Sequence, residues 1–467
     1  MDVERGAGRI AVRYGAWVLA ALAMGCAAAW IAFSSVQWPV REAILYGTIA
    51  VVLAVCALSS TDLGIALLII AIPLFDFATL GPASAPFTAA HVLLAFTLVG
   101  WIARVLRDGR EALPRMTPLA WSLATPFVAG LISLAGSLAP SATLGGSGRL
   151  ALLWLLAMLV ASRAGDERRG RGMLAILVLV ACAMALLATL QYLDPSIGIG
   201  RSTTQGFSTL VTLVRPSAFF LDPNFLAGYL SASALVSLVF VVRARHLAEL
   251  GVWGVGALVC LGGTVVTSSR SAVVGMAVGL LLVVFTAPRK RRIALIVTGV
   301  VLALVVAPFI PSTVYQRAAG LLDPFSERSL ATRYLMAESS LEMLGEYGVG
   351  GTGLGAYDLV YPAYRKPGAL TRILHPHQVP LAMWVEMGLP GLLSVLAIVA
   401  GIIAAWRSIA RTAYPALATA ALAAVVALVV QALFQYYLYF EYLWIFLGLL
   451  SAFSVIGQGG NRVRDVE

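Results

Sequence analysis

The chain has 467 residues, 60% of them hydrophobic and only 12% charged, with a mean hydropathy of +0.92. A soluble domain is nearer about 25% charged, so this composition excludes a soluble globular fold and specifies an integral membrane protein. The formal net charge of +10 would point to nucleic acid in a soluble chain. In a membrane chain it belongs to the loops between spans, and no nucleic-acid partner is expected.

A spanning helix needs about 20 apolar residues. Apolar segments lie near 14–33, 43–59, 63–78, 87–106, 117–138, 149–163, 173–193, 223–242, 250–268, 271–287, 293–310, 377–405, 414–434 and 441–457. The first is too long for a signal h-region and lacks a small-residue cleavage site, so it counts as a span. The short segments 63–78, 149–163 and 271–287 can be tilted, re-entrant or merged, which leaves about 12 to 14 spans. Cys26, Cys56, Cys182 and Cys260 all fall inside apolar segments. Small packing residues are expected there, not disulfides or metal ligands.

With the N-terminus in the cytoplasm, about two thirds of the Lys and Arg fall on inner segments, as the positive-inside rule requires. Arg5, Arg9, Arg13 and the run Arg289-Lys290-Arg291-Arg292 are among them. Both termini are then cytoplasmic. Residues 1–310 hold spans joined by short loops, with one longer outer segment near 194–222. Residues 311–376 form a large outer loop, 377–457 the C-terminal spans, and 458–467 a cytoplasmic tail.

The outer loop gathers most of the polar chemistry. It carries Arg317, Arg328, Arg333, Arg365, Lys366 and Arg372. Glu327–Glu346 reads as a helix with Leu330, Tyr334, Leu341 and Leu344 as its apolar stripe and Ser326 as its cap. Gly348 to Gly355 follows. No strand precedes it and no Lys-Ser/Thr closes it, so a tight backbone bend is expected rather than a phosphate loop. No internal repeat is present.

Several chemistries are missing. There is no HExxH, GxSxG, Walker or Cys/His cluster, and no Asp-x-Asp to hold a metal on a diphosphate. No metal site and no cofactor are expected, so arginine would have to bind a phosphorylated substrate. Arg215, Arg270 and Arg149 are outer arginines beside apolar segments. An arginine there can simply snorkel. The outer face gains nothing from positive charge, however, and ionisable groups at a membrane are functional candidates. A guanidinium fork matches phosphate oxygens. Of the four histidines, His246 sits in a solvated basic turn and His91 reads as a packing residue. His375 and His377 stand where the polar loop meets an apolar segment. A neutral imidazole there can take a proton from a sugar hydroxyl. Glu386 lies nine residues beyond His377, about 13 Å further along a helix, and is expected to bond neighbouring helices. Glu441 is comparable, and the aromatics from Tyr436 to Trp444 read as an interfacial belt.

Taken together these runs resemble the O-antigen ligase and polymerase superfamily of bacterial envelopes. Its mark is a large late periplasmic loop ending in a His-Asn-like pair, then an apolar helix with Glu-x-Gly-x-x-Gly. Here the run is His375-Pro-His377-Gln378, then Glu386-Met-Gly388-Leu-Pro-Gly391. Gln378 departs from the usual Asn. Arg215 to Asn224 is similar to the family's Arg-containing run before a helix, Ser269-Arg270-Ser271 to its Ser-Arg step, and Arg333-Tyr334 to its arginine–aromatic pattern. The His-Pro-His spelling is closer to the ligases.

The resemblance implies an all-α, GT-C-like integral membrane protein of the inner membrane, with its large, partly helical loop in the periplasm. It implies a glycan on undecaprenyl pyrophosphate as donor and lipid A-core oligosaccharide as acceptor, with membrane lipid around both. Transfer would be metal-independent and inverting. His377 would be the base, and Arg215 and Arg270 would hold pyrophosphate. Arg333, Tyr334, His375, Gln378, Asn224 and Arg149 would line the substrates. A polymerase of the same superfamily is the nearest alternative. A transporter of lipid-linked glycan is a more distant one, because transporters place charge near the midplane and often show repeats.

Overall fold

The computed structural model describes residues 51–75, 79–80, 87–197, 201–208, 211–293, 295–297, 328–371, 375–412 and 414–456. The segment near 14–33, parts of 43–59 and 293–310, Arg317, Arg372 and the 458–467 tail lie outside them. Helices dominate. α1 (Thr61–Phe75), α2 (Ala89–Asp108), α3 (Pro118–Ser122), α4 (Thr125–Ile132), α5 (Pro140–Arg163) and α6 (Glu167–Leu193) form the first half. α7 (Pro223–Arg243), α8 (Leu247–Val266), α9 (Arg270–Thr286), α10 (Arg328–Tyr347), α11 (Tyr357–Tyr364), α12 (Val379–Ile409), α13 (Pro415–Ala432) and α14 (Glu441–Ile456) form the second. Two antiparallel hairpins interrupt them: β1 (Thr79–Leu80) with β2 (Phe87–Thr88), and β3 (Arg201–Ser208) with β4 (Val211–Ala218). Among the described residues, eight helical spans are long and apolar enough to cross a membrane, and three shorter helices are also apolar. The protein is an all-α integral membrane protein.

Sequence explains where these helices begin. α3, α5, α7, α12 and α13 each carry proline in their first two positions, where its missing N–H costs nothing. Asp222 caps α7 by accepting the Asn224 N–H at 2.6 Å. α7 is the innermost helix and packs on α8, α9 and α13. α13 turns Ala418, Ala420, Ala421, Ala423, Ala424 and Ala427 inward, all fully buried. Close backbone approach through small residues is how membrane helices gain contact without a hydrophobic drive. α9 comes so near that a Cβ on Gly275 would lie 2.4 Å from the Ala427 carbonyl oxygen.

Short links make successive spans run in opposite directions, which gives the bundle two distinct ends. At one end α5 finishes, and α6 and α8 start. Arg163 donates to Asp62 there at 2.6 Å, Arg171 to Glu249 at 2.7 Å, and Arg291 to the Ala244 carbonyl at 3.0 Å. At the other end α7, α9, α12 and α14 start, and the 328–371 loop sits.

Several boundaries differ from the sequence reading. The span expected at 149–163 begins at Pro140, so Arg149 lies well inside α5. The segment 117–138 is divided into α3, α4 and a 3-10 turn at Ser133–Gly136. The 194–222 segment contains a hairpin that the apolar pattern did not announce. α10 buries a different face from the expected stripe. Tyr334 and Leu341 are exposed, while Met336, Ser339, Ser340 and Met343 are buried. The serines can face inward because their hydroxyls donate to Leu335 and Met336 carbonyls at 2.7 and 2.8 Å. They meet a small second core of Met343, Tyr357, Val360, Tyr361 and Val385, which docks the loop on α12. Finally, Tyr436, Tyr437, Tyr442 and Trp444 are buried in the bundle and do not form an interfacial belt.

Candidate functional site

A buried polar knot ties the ends of α7, α8 and α9 together. Arg215, on β4, is only 6% exposed. Its Nε donates to the Thr267 carbonyl at 3.1 Å and an Nη to Asn224 Oδ1 at 2.9 Å. The same Oδ1 accepts the Ser269 hydroxyl at 2.9 Å, and Ser269 lies 3.3 Å from the Ser271 hydroxyl. Between α8 and α9 the backbone passes through the left-handed region at Ser268, with φ 54°. That turn presents Arg270, half-buried, as the first residue of α9. Arg215, Asn224 and Arg270, 55 positions apart in chain order, therefore share one place. The 434–440 link joins this knot from the far side. Gln435 donates to the Ser271 hydroxyl at 3.4 Å, and the Tyr437 hydroxyl donates to the Asn224 carbonyl at 2.6 Å.

The histidine pair is set by a break in α12. The helix begins at Val379 with Gln378 at its cap, then loses helical geometry at Gly388, where φ is 63°. A left-handed φ there suits glycine, and a Cβ would sit 2.2 Å from the Val349 carbonyl oxygen. The Gly348–Gly355 bend clamps the broken stretch. Leu389 donates to the Val349 carbonyl at 3.0 Å, Thr352 to the Val385 carbonyl at 3.0 Å and Gly353 to the Glu386 carbonyl at 2.9 Å. Trp384 Nε1 adds a bond to the Gly348 carbonyl at 3.0 Å. The chain entering α12 is thus fixed, and with it His375 and His377.

His375 stacks on Tyr436 with ring centroids 3.9 Å apart and planes 11° from parallel. His377 sits edge-on to His375 at 6.2 Å. Burial, helped by the Arg333 guanidinium and then by His375, pushes the His377 pKa down to about 4. Burial also lowers that of His375. Both imidazoles are therefore neutral near pH 7, with a ring nitrogen able to accept a proton. Arg333 comes from α10, whereas its neighbour Tyr334 is 53% exposed. Gln378 is half-buried beside the pair.

Arg149 borders the site from α5. Its guanidinium lies 4.6 Å over the Tyr439 ring, and it faces Glu441 at 3.6 Å. Tyr439 packs against Tyr436 at 6.0 Å, so Arg149 connects to His375 through two aromatic rings. Beside it, His91, Leu94, Leu152, Leu153 and Glu441 line a small, mostly apolar cleft.

The candidate site residues read from sequence therefore fall at one end of the bundle. Arg215, Asn224 and Arg270 form one cluster. His375, His377, Gln378 and Arg333 form a second, with Arg149 at its edge and Tyr334 on the outer surface. The segment 434–440 joins the clusters, and sequence reasoning missed it. Its signal was the unusual polar run Gln435-Tyr436-Tyr437 between two apolar helices. Among the described residues, no three His, Cys, Asp or Glu side chains gather to hold a metal ion.

Residues 255–396 match a protein-family model described as O-antigen ligase. That stretch includes Arg270, Arg333, both site histidines and the α12 break, but not Arg149, Arg215 or 434–440. No curated protein matches the chain.

Proposed function

We propose that the chain, whose residues 255–396 match the O-antigen ligase family model, moves a glycan from undecaprenyl pyrophosphate to lipid A-core oligosaccharide. The acceptor hydroxyl attacks the anomeric carbon from the side opposite the pyrophosphate. The bond from that carbon to the pyrophosphate oxygen breaks, configuration inverts, and the hydroxyl proton passes to His377. Pyrophosphate leaves with the bonding pair, so no strong general acid is required. Arg270 and Arg215 stabilise the charge that grows on it, an electrostatic contribution of the kind that often dominates catalysis. Arg333 and Gln378 border the acceptor, His375 orients the pair, and Tyr334, Asn224 and Arg149 shape the approaches.

One observation supports this most. A neutral imidazole pair and the Arg215–Arg270 knot arise far apart in sequence yet meet at one end of the bundle, joined through Tyr436 and Tyr437. Placement in the inner membrane, with this end in the periplasm, rests on the family resemblance, and the sidedness, with both termini inside, on the Lys and Arg distribution. The test uses purified protein, an undecaprenyl-linked glycan, and either lipid A-core or a second glycan-lipid as acceptor. Sugar appearing on lipid A-core is the expected result. Chain growth on the glycan-lipid alone would make the protein a polymerase. No transfer to either would overturn the reading.

A further inference from the structure

Tyr437 helps join the two clusters, but the proposed chemistry gives it no task of its own. Its side chain is fully buried. The ring is set edge-on to Phe225 at 5.1 Å and tilted against Phe440 at 4.9 Å. Its hydroxyl donates to the Asn224 carbonyl at 2.6 Å, across 213 positions of chain. That approach is open because residue 228, one turn further along α7, is glycine: a Cβ there would lie 2.4 Å from the hydroxyl oxygen. A tyrosine needed only for its apolar ring would gain nothing from such a notch.

Asn224 is thereby held from both sides of its backbone. Its N–H goes to the Asp222 cap at 2.6 Å, and its carbonyl receives Tyr437. The first turn of a helix is otherwise the part readiest to fray. With the backbone clamped, Oδ1 has one place, and both of its lone pairs are in use there. One takes an Arg215 Nη at 2.9 Å and the other the Ser269 hydroxyl at 2.9 Å. The Thr267 carbonyl steadies the Nε side of Arg215, and Asn224 sets the far side of the fork. We infer that Tyr437 is a positioning residue for Arg215: its hydroxyl fixes the peptide of Asn224, and Asn224 Oδ1 fixes the direction of the guanidinium. This rests on and deepens the proposed function, in which Arg215 meets the leaving pyrophosphate, but its first test does not depend on that reading.

The variants are Tyr437→Phe, Asn224→Ala and the double substitution, each in the full-length protein. Tyr437→Phe removes only the hydroxyl and keeps the ring packing, so it reports even where Asn224→Ala unfolds. The first readout is the rate at which phenylglyoxal modifies Arg215, resolved by peptide mass spectrometry. Arg163, 7% exposed at the opposite end of the bundle, is the internal control. We expect Arg215 to react ~5-fold faster in Tyr437→Phe, the scale of losing one buried hydrogen bond, with Arg163 unchanged. An Arg215 rate within twofold of wild type overturns the inference. So do equal rises at both arginines, which would mean general loosening. The second readout is transfer kinetics. We expect kcat to fall ~5–10-fold in Tyr437→Phe with KM for both lipids little changed. In the Asn224→Ala background the hydroxyl should make no further difference, because it acts through Asn224. A rise in KM at unchanged kcat, or additive losses in the double variant, would overturn it. Wild-type protein inactive on both acceptors would sink the proposed function, while the labelling result would still decide the role of Tyr437.

Discussion

The two ends of the bundle are built by different chemistry. At the end where α5 finishes, arginines meet carboxylates: Arg163 with Asp62 at 2.6 Å and Arg171 with Glu249 at 2.7 Å. At the end where α9 and α12 start, Arg149 does face Glu441, at 3.6 Å, but Arg215 donates to a carbonyl and an amide, and the tyrosines of 434–440 carry contacts onward to Asn224 and His375. Arg171 and Glu249 are both half-exposed, where an ion pair has modest energy, and the buried Arg163 reaches a carboxylate that is itself 40% exposed. A buried hydrogen-bond knot is directional and costly to disturb. One end therefore holds helices together, and the other holds particular atoms in particular places.

That contrast can be broken most sharply at the arginines. Arg270→Ala and Arg215→Ala should each lower glycan transfer by ~10²–10³-fold, the scale of removing one donor to a developing anion. Lysine should not restore either, since a point charge lacks the fork. For Arg215 the loss should come with reduced thermal stability, because Asn224 Oδ1 and the Thr267 carbonyl lose a buried donor. Transfer rates and melting curves in detergent check both, and a lysine variant with full activity would count against the fork.

A smaller effect concerns pH. With its folded pKa near 4, below the ordinary value of 6.5, His377 resists protonation in the folded state. The unfolded chain therefore binds more protons between these values, and stability is lost as pH falls from about 6.5 toward 4. His375, lowered by burial, acts in the same direction. Melting temperature should fall over that range, and less steeply in His377→Gln. The acid limb of the rate profile should lie well below pH 6.5; a limb centred there would show an imidazole in ordinary solvent.

The smallest effect on transfer belongs to the other end. Asp62→Asn removes the carboxylate facing Arg163 and Arg169, and Asp62 is itself 40% exposed. Arg163 is only 7% exposed, so a stability cost of about 1–3 kcal/mol is expected, with kcat unchanged in the protein that remains folded. A large loss of kcat would erase the distinction between the ends.

The all-helical membrane fold was legible because apolar content and segment length constrain it directly. Arg215, Arg270, His375 and His377 stood out because polar residues are rare in such a chain and their spacing resembles a family pattern. Their joining element was not. Tyr436 and Tyr437 look like membrane-interface aromatics in sequence, and only the packing of α13 and α14 turns them inward. The face of α10 was misread for a related reason. Ser339 and Ser340 look polar, but their hydroxyls bond back to the helix, so burial was free to follow Met336 and Met343. The β3–β4 hairpin, which carries Arg215, gave no apolar alternation to find.

The most direct test is transfer of the undecaprenyl-linked glycan by His377→Ala, measured in a single turnover beside wild type and Asp62→Asn. We expect His377→Ala to insert normally and to lose ~10²–10⁴-fold in rate, the contribution of a positioned base, while Asp62→Asn keeps the wild-type rate. Transfer by His377→Ala at the wild-type rate would contradict the assignment of chemistry to this end of the bundle.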